Sequence, residues 1–251
     1  MTEKLLEARG LSKSFGSFMA VNDVSFELAT GARHAVIGPN GAGKTTFVNL
    51  LTGVLPPTSG HLFFKGRDIT HMPPARRVKQ GIARTFQINQ LFRGLSVLEN
   101  VFIAVAERVG AAPDMFHPAG KRKEVLEEAL SLLETLKLID DAENRITELP
   151  YGRQRLVEIA IALGLNPQVL LLDEPMAGVP SAESHIILDA IDRLPKDIAV
   201  MIIEHDMDVV FQFAKWITVL VRGEVFAVGT PDEIKANEDV RDVYLGQSAH
   251  A

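Results

Sequence analysis

Eight consecutive residues constrain this chain more than any others: Gly38-Pro39-Asn40-Gly41-Ala42-Gly43-Lys44-Thr45. Glycines at 38, 41 and 43 describe a backbone that curls through conformations closed to most residues with a Cβ. The apolar run 32–37 leads into the loop and a helical pattern over 45–52 leads out of it. A strand, a glycine turn and a helix in that order belong to an α/β sheet. Such a turn aims successive N–H groups inward, and the helix behind it adds its positive end. The spacing G-x-x-x-x-G-K-[ST] brings a lysine and a hydroxyl to the same concavity. That set suits a nucleoside triphosphate, ATP with Mg²⁺: Lys44 for the β- and γ-phosphates, Thr45 for the metal.

The remaining pattern alternates strands and helices. Residues 24–28, 61–64 and 82–86 read as strands, punctuated by Pro56-Pro57, Gly60, Gly66 and Pro73-Pro74. From Ser96 the pattern turns helical, and Ser96-Val-Leu-Glu99 has the form of a capping box. Residues 121–137 follow with helical spacing of Val125, Ala129, Leu133 and Leu136, and a third helix spans 151–165. Residues 169–172 are wholly apolar, as a parallel strand covered on both faces should be. A helix over 182–194, strands over 198–203 and 216–221, a turn at Arg222-Gly223, a strand over 225–228 and a helical tail over 231–245 complete the expectation. The fold class is α/β with a mostly parallel sheet. Residues 88–163 read as an inserted helical lobe, with 1–87 and 164–251 as the nucleotide-binding core.

The run Val169-Leu-Leu-Leu-Asp173-Glu174 ends in two carboxylates. Ligands of open α/β sheets bind beyond the carboxyl ends of the strands, so both should face the glycine loop's crevice. Asp173 suits the Mg²⁺ shell, and Glu174 suits the base that orients and deprotonates an attacking water. His205 closes another apolar strand, where it can hydrogen-bond the γ-phosphate, although a histidine after a strand is more often structural. Gln87, at the joint between strand and helical lobe, offers an amide to Mg²⁺ or water.

Composition narrows the class further. A net charge of −6 weighs against nucleic acid as partner. Arg76, Arg77 and Lys79 read better as a solvated helix face than as a basic patch. The chain has no cysteine, hence no disulfide framework or thiolate metal site. No secretory signal is read at Met1-Thr-Glu-Lys-Leu-Leu-Glu7 and no apolar run approaches the ~20 residues that span a bilayer, so the expectation is a soluble chain. No Asn-Lys-x-Asp guanine-reading motif occurs.

The ordered set 38–45, Gln87, Leu149-Pro150-Tyr151-Gly152-Arg153-Gln154, Leu172-Asp173-Glu174-Pro175 and His205 resembles the ATP-binding subunits of ATP-binding-cassette (ABC) transporters over nearly the whole chain. Gly81-Ile-Ala-Arg-Thr-Phe-Gln87, Asn89-Gln-Leu-Phe92, Ile203-Glu-His-Asp-Met207 and Val243-Tyr-Leu-Gly246 are similar to the subgroup serving branched-chain amino acid uptake. The resemblance implies a P-loop NTPase core, an N-terminal antiparallel β subdomain and an α-helical insertion. It implies that Phe15 stacks on adenine and that Thr46 joins the phosphate-binding residues 38–45. Two cassettes are then expected to sandwich ATP head to tail, with Tyr151, Gly152 and Arg153 of one facing the nucleotide of the other. Implied partners are a second ATPase subunit, transmembrane permease subunits and, through them, a solute-binding protein. The implied location is peripheral, on the cytoplasmic face of the cell membrane.

Two positions depart from the family pattern. Pro150 stands where the signature L-S-G-G-Q has a serine, and it offers neither hydroxyl nor N–H. Arg153 adds positive charge nearby that is expected to offset the loss. Val179-Pro180-Ser181 replaces the usual Leu-Asp-Pro, which removes an acidic contact across the dimer. A nucleotide-closed regulatory module with little turnover is therefore the alternative to a transport-coupled ATPase.

Overall fold

The computed structural model describes residues 4–85, 91–110, 119–180 and 183–245; Gln87 and Ser181 lie outside them. An antiparallel sheet comes first. Strands β1 (Lys4–Phe15) and β2 (Phe18–Ala29) form a long hairpin, and β4 (Ser59–Phe64) with the short β5 (Arg67–Asp68) extends it on the β1 side. The second sheet contains β3 (Arg33–Ile37), β6 (Ile82–Arg84), β7 (Val169–Asp173), β8 (Ala199–Ile203), β9 (Trp216–Val221) and β10 (Glu224–Gly229). Its order is β10-β9-β3-β8-β7-β6. All neighbours run parallel except β10, which returns antiparallel to β9.

Every residue of β3, β7 and β8 is buried, because both faces of the sheet are covered. Alternate side chains serve two cores, as the two-residue period of a strand requires. Ala35, Ile37, Leu170, Leu172, Val200 and Ile202 enter one core with the helices α3 (Val97–Arg108), α4 (Ala119–Thr135), α5 (Tyr151–Gly164), α6 (Ser184–Asp192) and α7 (Met207–Phe213). Val36, Val169, Leu171, Ala199, Met201 and Ile203 enter the other, closed by the antiparallel sheet and α1 (Lys44–Thr52).

Local signals explain most boundaries. Ser96 Oγ accepts from Glu99 N–H and Glu99 Oε2 accepts from Ser96 N–H, so the capping box opens α3. On α4, Val125, Ala129 and Leu133 are buried, as is Leu136 just past its end. The tail is two helices, α8 (Pro231–Ala236) and α9 (Glu238–Leu245), because Asn237 breaks off and its side chain accepts from Val240 N–H to start the second. The strand expected over 82–86 ends at Arg84; Thr85 N–H still bonds Leu171 O, and Phe86 lies outside the described residues.

The reading of Arg77 on a solvated face is corrected. Helix α2 (Pro74–Gln80) forms, but Arg77 is 1% exposed. Its Nη1 donates to Leu50 O and Leu51 O, both at 2.7 Å, its Nη2 to Thr70 O at 2.9 Å, and its Nε to Met72 O at 2.8 Å. Two of these carbonyls end α1, where intrahelical partners run out. A rigid fork of five N–H donors satisfies all four acceptors at once. Among the described residues, no helix is long and apolar enough to cross a membrane.

Candidate nucleotide site

The loop 38–43 leaves the carboxyl end of β3, between β9 and β8. Space as well as conformation requires two of its glycines. A Cβ on Gly38 would lie 2.2 Å from Leu220 O, and one on Gly43, at φ +95°, 2.3 Å from Ala20 O. The loop is thus held between β2 and the β9–β10 turn. Gly223 N–H donates to Ala42 O (3.0 Å), and Asn22 N–H donates to Gly223 O (2.8 Å). The sequence marks Arg222-Gly223 as a turn; nothing in it signals that this turn walls the loop.

Helix α1 starts at Lys44 with no side-chain cap and no acid in its first turn. Its first N–H groups and positive end are left for an anion. Thr45 is exposed there, Thr46 is half-buried, and Asn40 and Gly41 are exposed. Lys44 Nζ folds back to donate to Gly38 O (2.6 Å) and Pro39 O (3.0 Å). Burial holds its pKa below that of an ordinary lysine, while the charges of Glu174 and Asp173 pull it upward. The ammonium therefore already feels both carboxylates.

Asp173 ends β7 and is buried. Its Oδ2 accepts from Arg84 Nη2 at 2.5 Å, and Arg84 Nη1 donates to Asn49 Oδ1 at 2.6 Å. Arg84 so ties β6, α1 and β7 together at the crevice, a role with no motif to announce it. Glu174 follows in the left-handed region, φ +46°, and its N–H donates to Ile203 O (3.0 Å). A non-glycine residue there is strained by roughly 1 kcal/mol or more, which the surrounding structure must hold. His205 lies two residues past β8, its side chain 67% exposed. Lys44, Asp173, Glu174 and His205 thus converge at the carboxyl ends of three adjacent strands.

Phe15 is 49% exposed at the tip of the β1–β2 hairpin, not in the core, with Lys13 Nζ 5.4 Å from its ring centroid. Tyr151 opens α5 and Pro150 is its N-cap, with no side-chain cap bond; Pro150 O accepts from Arg153 N–H and Gln154 N–H. Gly152 is buried, and a Cβ there would come 3.1 Å from Glu183 Oε2 and 3.5 Å from Val179 Cγ1. Tyr151 packs over Gly178. Residues 151–152 therefore rest on the loop that follows Glu174. Arg153 Nη2 donates to Lys137 O at 2.8 Å and its guanidinium pairs with Asp141. Its positive charge is matched within its own helical segment, so the offset expected for Pro150 is not on offer in this arrangement.

Comparison with known proteins decides the family. The ABC transporter profile matches residues 21–177, and the branched-chain amino acid ATP-binding cassette transporter profile matches residues 224–250. The probable branched-chain amino acid transport ATP-binding protein LivG of Archaeoglobus fulgidus is 38% identical, over 97% of this chain and 96% of that protein. The chain belongs to the ABC transporter family. The high-affinity branched-chain amino acid transport ATP-binding protein LivG of Salmonella typhimurium is also 38% identical, over 99% of this chain and 100% of that protein. The ADP conformation of an ATP-binding cassette of an ABC transporter shares the fold of this ABC ATPase with a TM-score of 0.85 at 32% identity, covering 98% of this chain and 100% of that one.

Proposed function

We propose that this ABC ATPase couples ATP binding and hydrolysis to import of a small solute, branched-chain or other hydrophobic amino acids. In this reading it is a peripheral subunit on the cytoplasmic face of the cell membrane. It works with permease subunits, a second ATPase subunit and, indirectly, a solute-binding protein. The relatives named above are transport ATP-binding proteins, which supports the setting. The observation that carries the catalytic half is the convergence of Lys44 with Asp173 and Glu174 at the ends of β3 and β7.

Adenine stacks on Phe15, and the N–H groups of 38–46 cradle the phosphates. Lys44 exchanges its bonds to Gly38 O and Pro39 O for the β- and γ-phosphate oxygens. Thr45, Asp173 and Gln87 offer only oxygen donors, the set that fits Mg²⁺, and they would hold it. When bound, the metal neutralises charge on the β- and γ-phosphates. Glu174 orients a water and takes its proton as the water oxygen bonds to the γ-phosphorus and the bond to ADP breaks. His205 hydrogen-bonds the γ-phosphate. Tyr151, Gly152 and Arg153 of the second subunit face the same nucleotide from residues 88–163, which act as a helical subdomain on the core formed by 1–87 and 164–251.

Two variants test this. Glu174→Gln is expected to bind ATP as the parent does while losing turnover by about a hundredfold. Lys44→Ala should lose ATP binding in a fluorescent-nucleotide titration. Parental turnover in the first, or parental affinity in the second, contradicts the assignment. A second reading, an ATP-closed regulatory module with little turnover, is favoured by Pro150 and by the pairing of Arg153 with Asp141. ATPase rates with and without the permease separate the two, because absence of turnover in both settings leaves only the module.

A further inference from the structure

Beside the catalytic crevice lies a buried carboxyl that the mechanism above does not use. Glu204 stands between Ile203, the last residue of β8, and His205, and is 1% exposed. Its Oε1 accepts from Met176 N–H at 3.0 Å and its Oε2 from His205 N–H at 3.2 Å. Burial pushes its pKa above the ordinary glutamate value, and the two N–H bonds and His205 oppose that shift. A carboxyl kept out of water has a desolvation cost that an apolar residue would not incur.

Its partners explain what it is placed to do. Met176 is two residues past Glu174, and Ala177 N–H bonds back to Glu174 O at 3.0 Å. Glu174 N–H is itself bonded to Ile203 O at 3.0 Å. The strained turn at Glu174 is therefore stitched twice to the end of β8: at its start by the Ile203 carbonyl, and past its corner by the Glu204 side chain. The same carboxyl bonds the backbone of His205. One side chain spans the two strand ends that carry the proposed base and the proposed γ-phosphate ligand.

We propose that Glu204 is a positioning residue for ATP hydrolysis, holding the backbone of the Glu174 turn and that of His205 in one fixed register. This rests on the reading of Glu174 as the base. Glu204→Gln keeps the size of the side chain but has one oxygen for two N–H donors, so one of the two loops loses its acceptor.

The test uses the full chain and reads kcat, KM for ATP, ATP affinity and the thermal midpoint. Glu204→Gln is expected to lower kcat by about tenfold, the worth of one hydrogen bond, with ATP affinity within about twofold of the parent. Placed on Glu174→Gln, it is expected to lower the residual rate by less than it lowers the parent's, since one of the two groups it positions is gone and His205 remains. Parental kcat in Glu204→Gln overturns the proposal. So does an undiminished loss on the Glu174→Gln background, or a loss confined to ATP affinity. Parental kcat in Glu174→Gln alone overturns the base assignment instead. Should Glu204→Gln not fold, amide hydrogen exchange in the parent decides: Met176 N–H protected like the amides of β8 supports the clamp, and exchange at the rate of an exposed loop rejects it.

Discussion

Asp173 does not sit alone at the end of β7. Arg84, 11% exposed, meets it at 2.5 Å, and the aspartate is 4% exposed. Removing one member of a buried pair leaves the other charge uncompensated, which is worse than removing both. Arg84→Met is expected to lower the unfolding free energy by about 3 kcal/mol, measured by urea titration. Adding Asp173→Asn to it should restore a sizeable part of that loss. If the double variant is less stable than Arg84→Met, Asp173 is not the group left unpaired. The catalytic candidates 38–45, Asp173 and Glu174 were legible because each belongs to a short pattern with one chemical use. Arg84, Glu204 and Gly223 were not, because their partners lie 89, 28 and 181 positions away: Asp173, Met176 and Ala42.

At the scale of elements, legibility follows where an element's partners come from. The box at Ser96 and the apolar stripe of α4 depend on neighbours within four residues, and both were readable. Helix α2 was readable as a helix, but its wet and dry faces were not. The acceptors that bury Arg77 come from residues 50, 51, 70 and 72, brought together by α1 and the strand pair β4–β5. Strand β3 holds a comparable case with a measurable consequence. His34 is buried, its Nε2 is 2.8 Å from Thr218 Oγ1 on β9, and its ring stands edge-on to Phe26 at 4.8 Å. Burial depresses its pKa to about 4. The unfolded chain takes up that proton near pH 6.5 and the folded chain does not until about pH 4. Stability contributed by neutral His34 is therefore complete above pH 6.5, falls as pH drops, and levels off below the folded value. The full swing is on the order of 3 kcal/mol. Denaturant midpoints between pH 7 and pH 4 should fall more steeply in the parent than in His34→Gln; equal slopes would mean that other groups govern the acid limb.

For the whole molecule the question is how a nucleotide gets its second wall. In one chain the start of α5 rests on Gly178, Val179 and Glu183, and the phosphate loop opens at the carboxyl end of β3. In the proposed sandwich, a second copy or a sister subunit brings residues 151–153 to the γ-phosphate. Turnover is then second order in cassette: ATPase activity per molecule should rise with protein concentration and saturate when a permease holds two cassettes together. Constant specific activity over a hundredfold dilution range would leave each chain hydrolysing alone. The proposed sandwich also carries a prediction for the signature segment. Pro150 caps α5 without a hydroxyl or an N–H, and Arg153 is committed to Asp141 and Lys137 O. A serine at 150 would add two donors where charge develops, each worth about tenfold or more in a dry site, whereas freeing Arg153 would first have to break its pairing. Pro150→Ser is accordingly expected to raise turnover by about a hundredfold, with Asp141→Asn giving a smaller gain, both read as kcat at saturating ATP and saturating permease. A faster Asp141→Asn than Pro150→Ser would reverse that order and make Arg153, not the missing serine, the residue on which closure of the ATP sandwich depends.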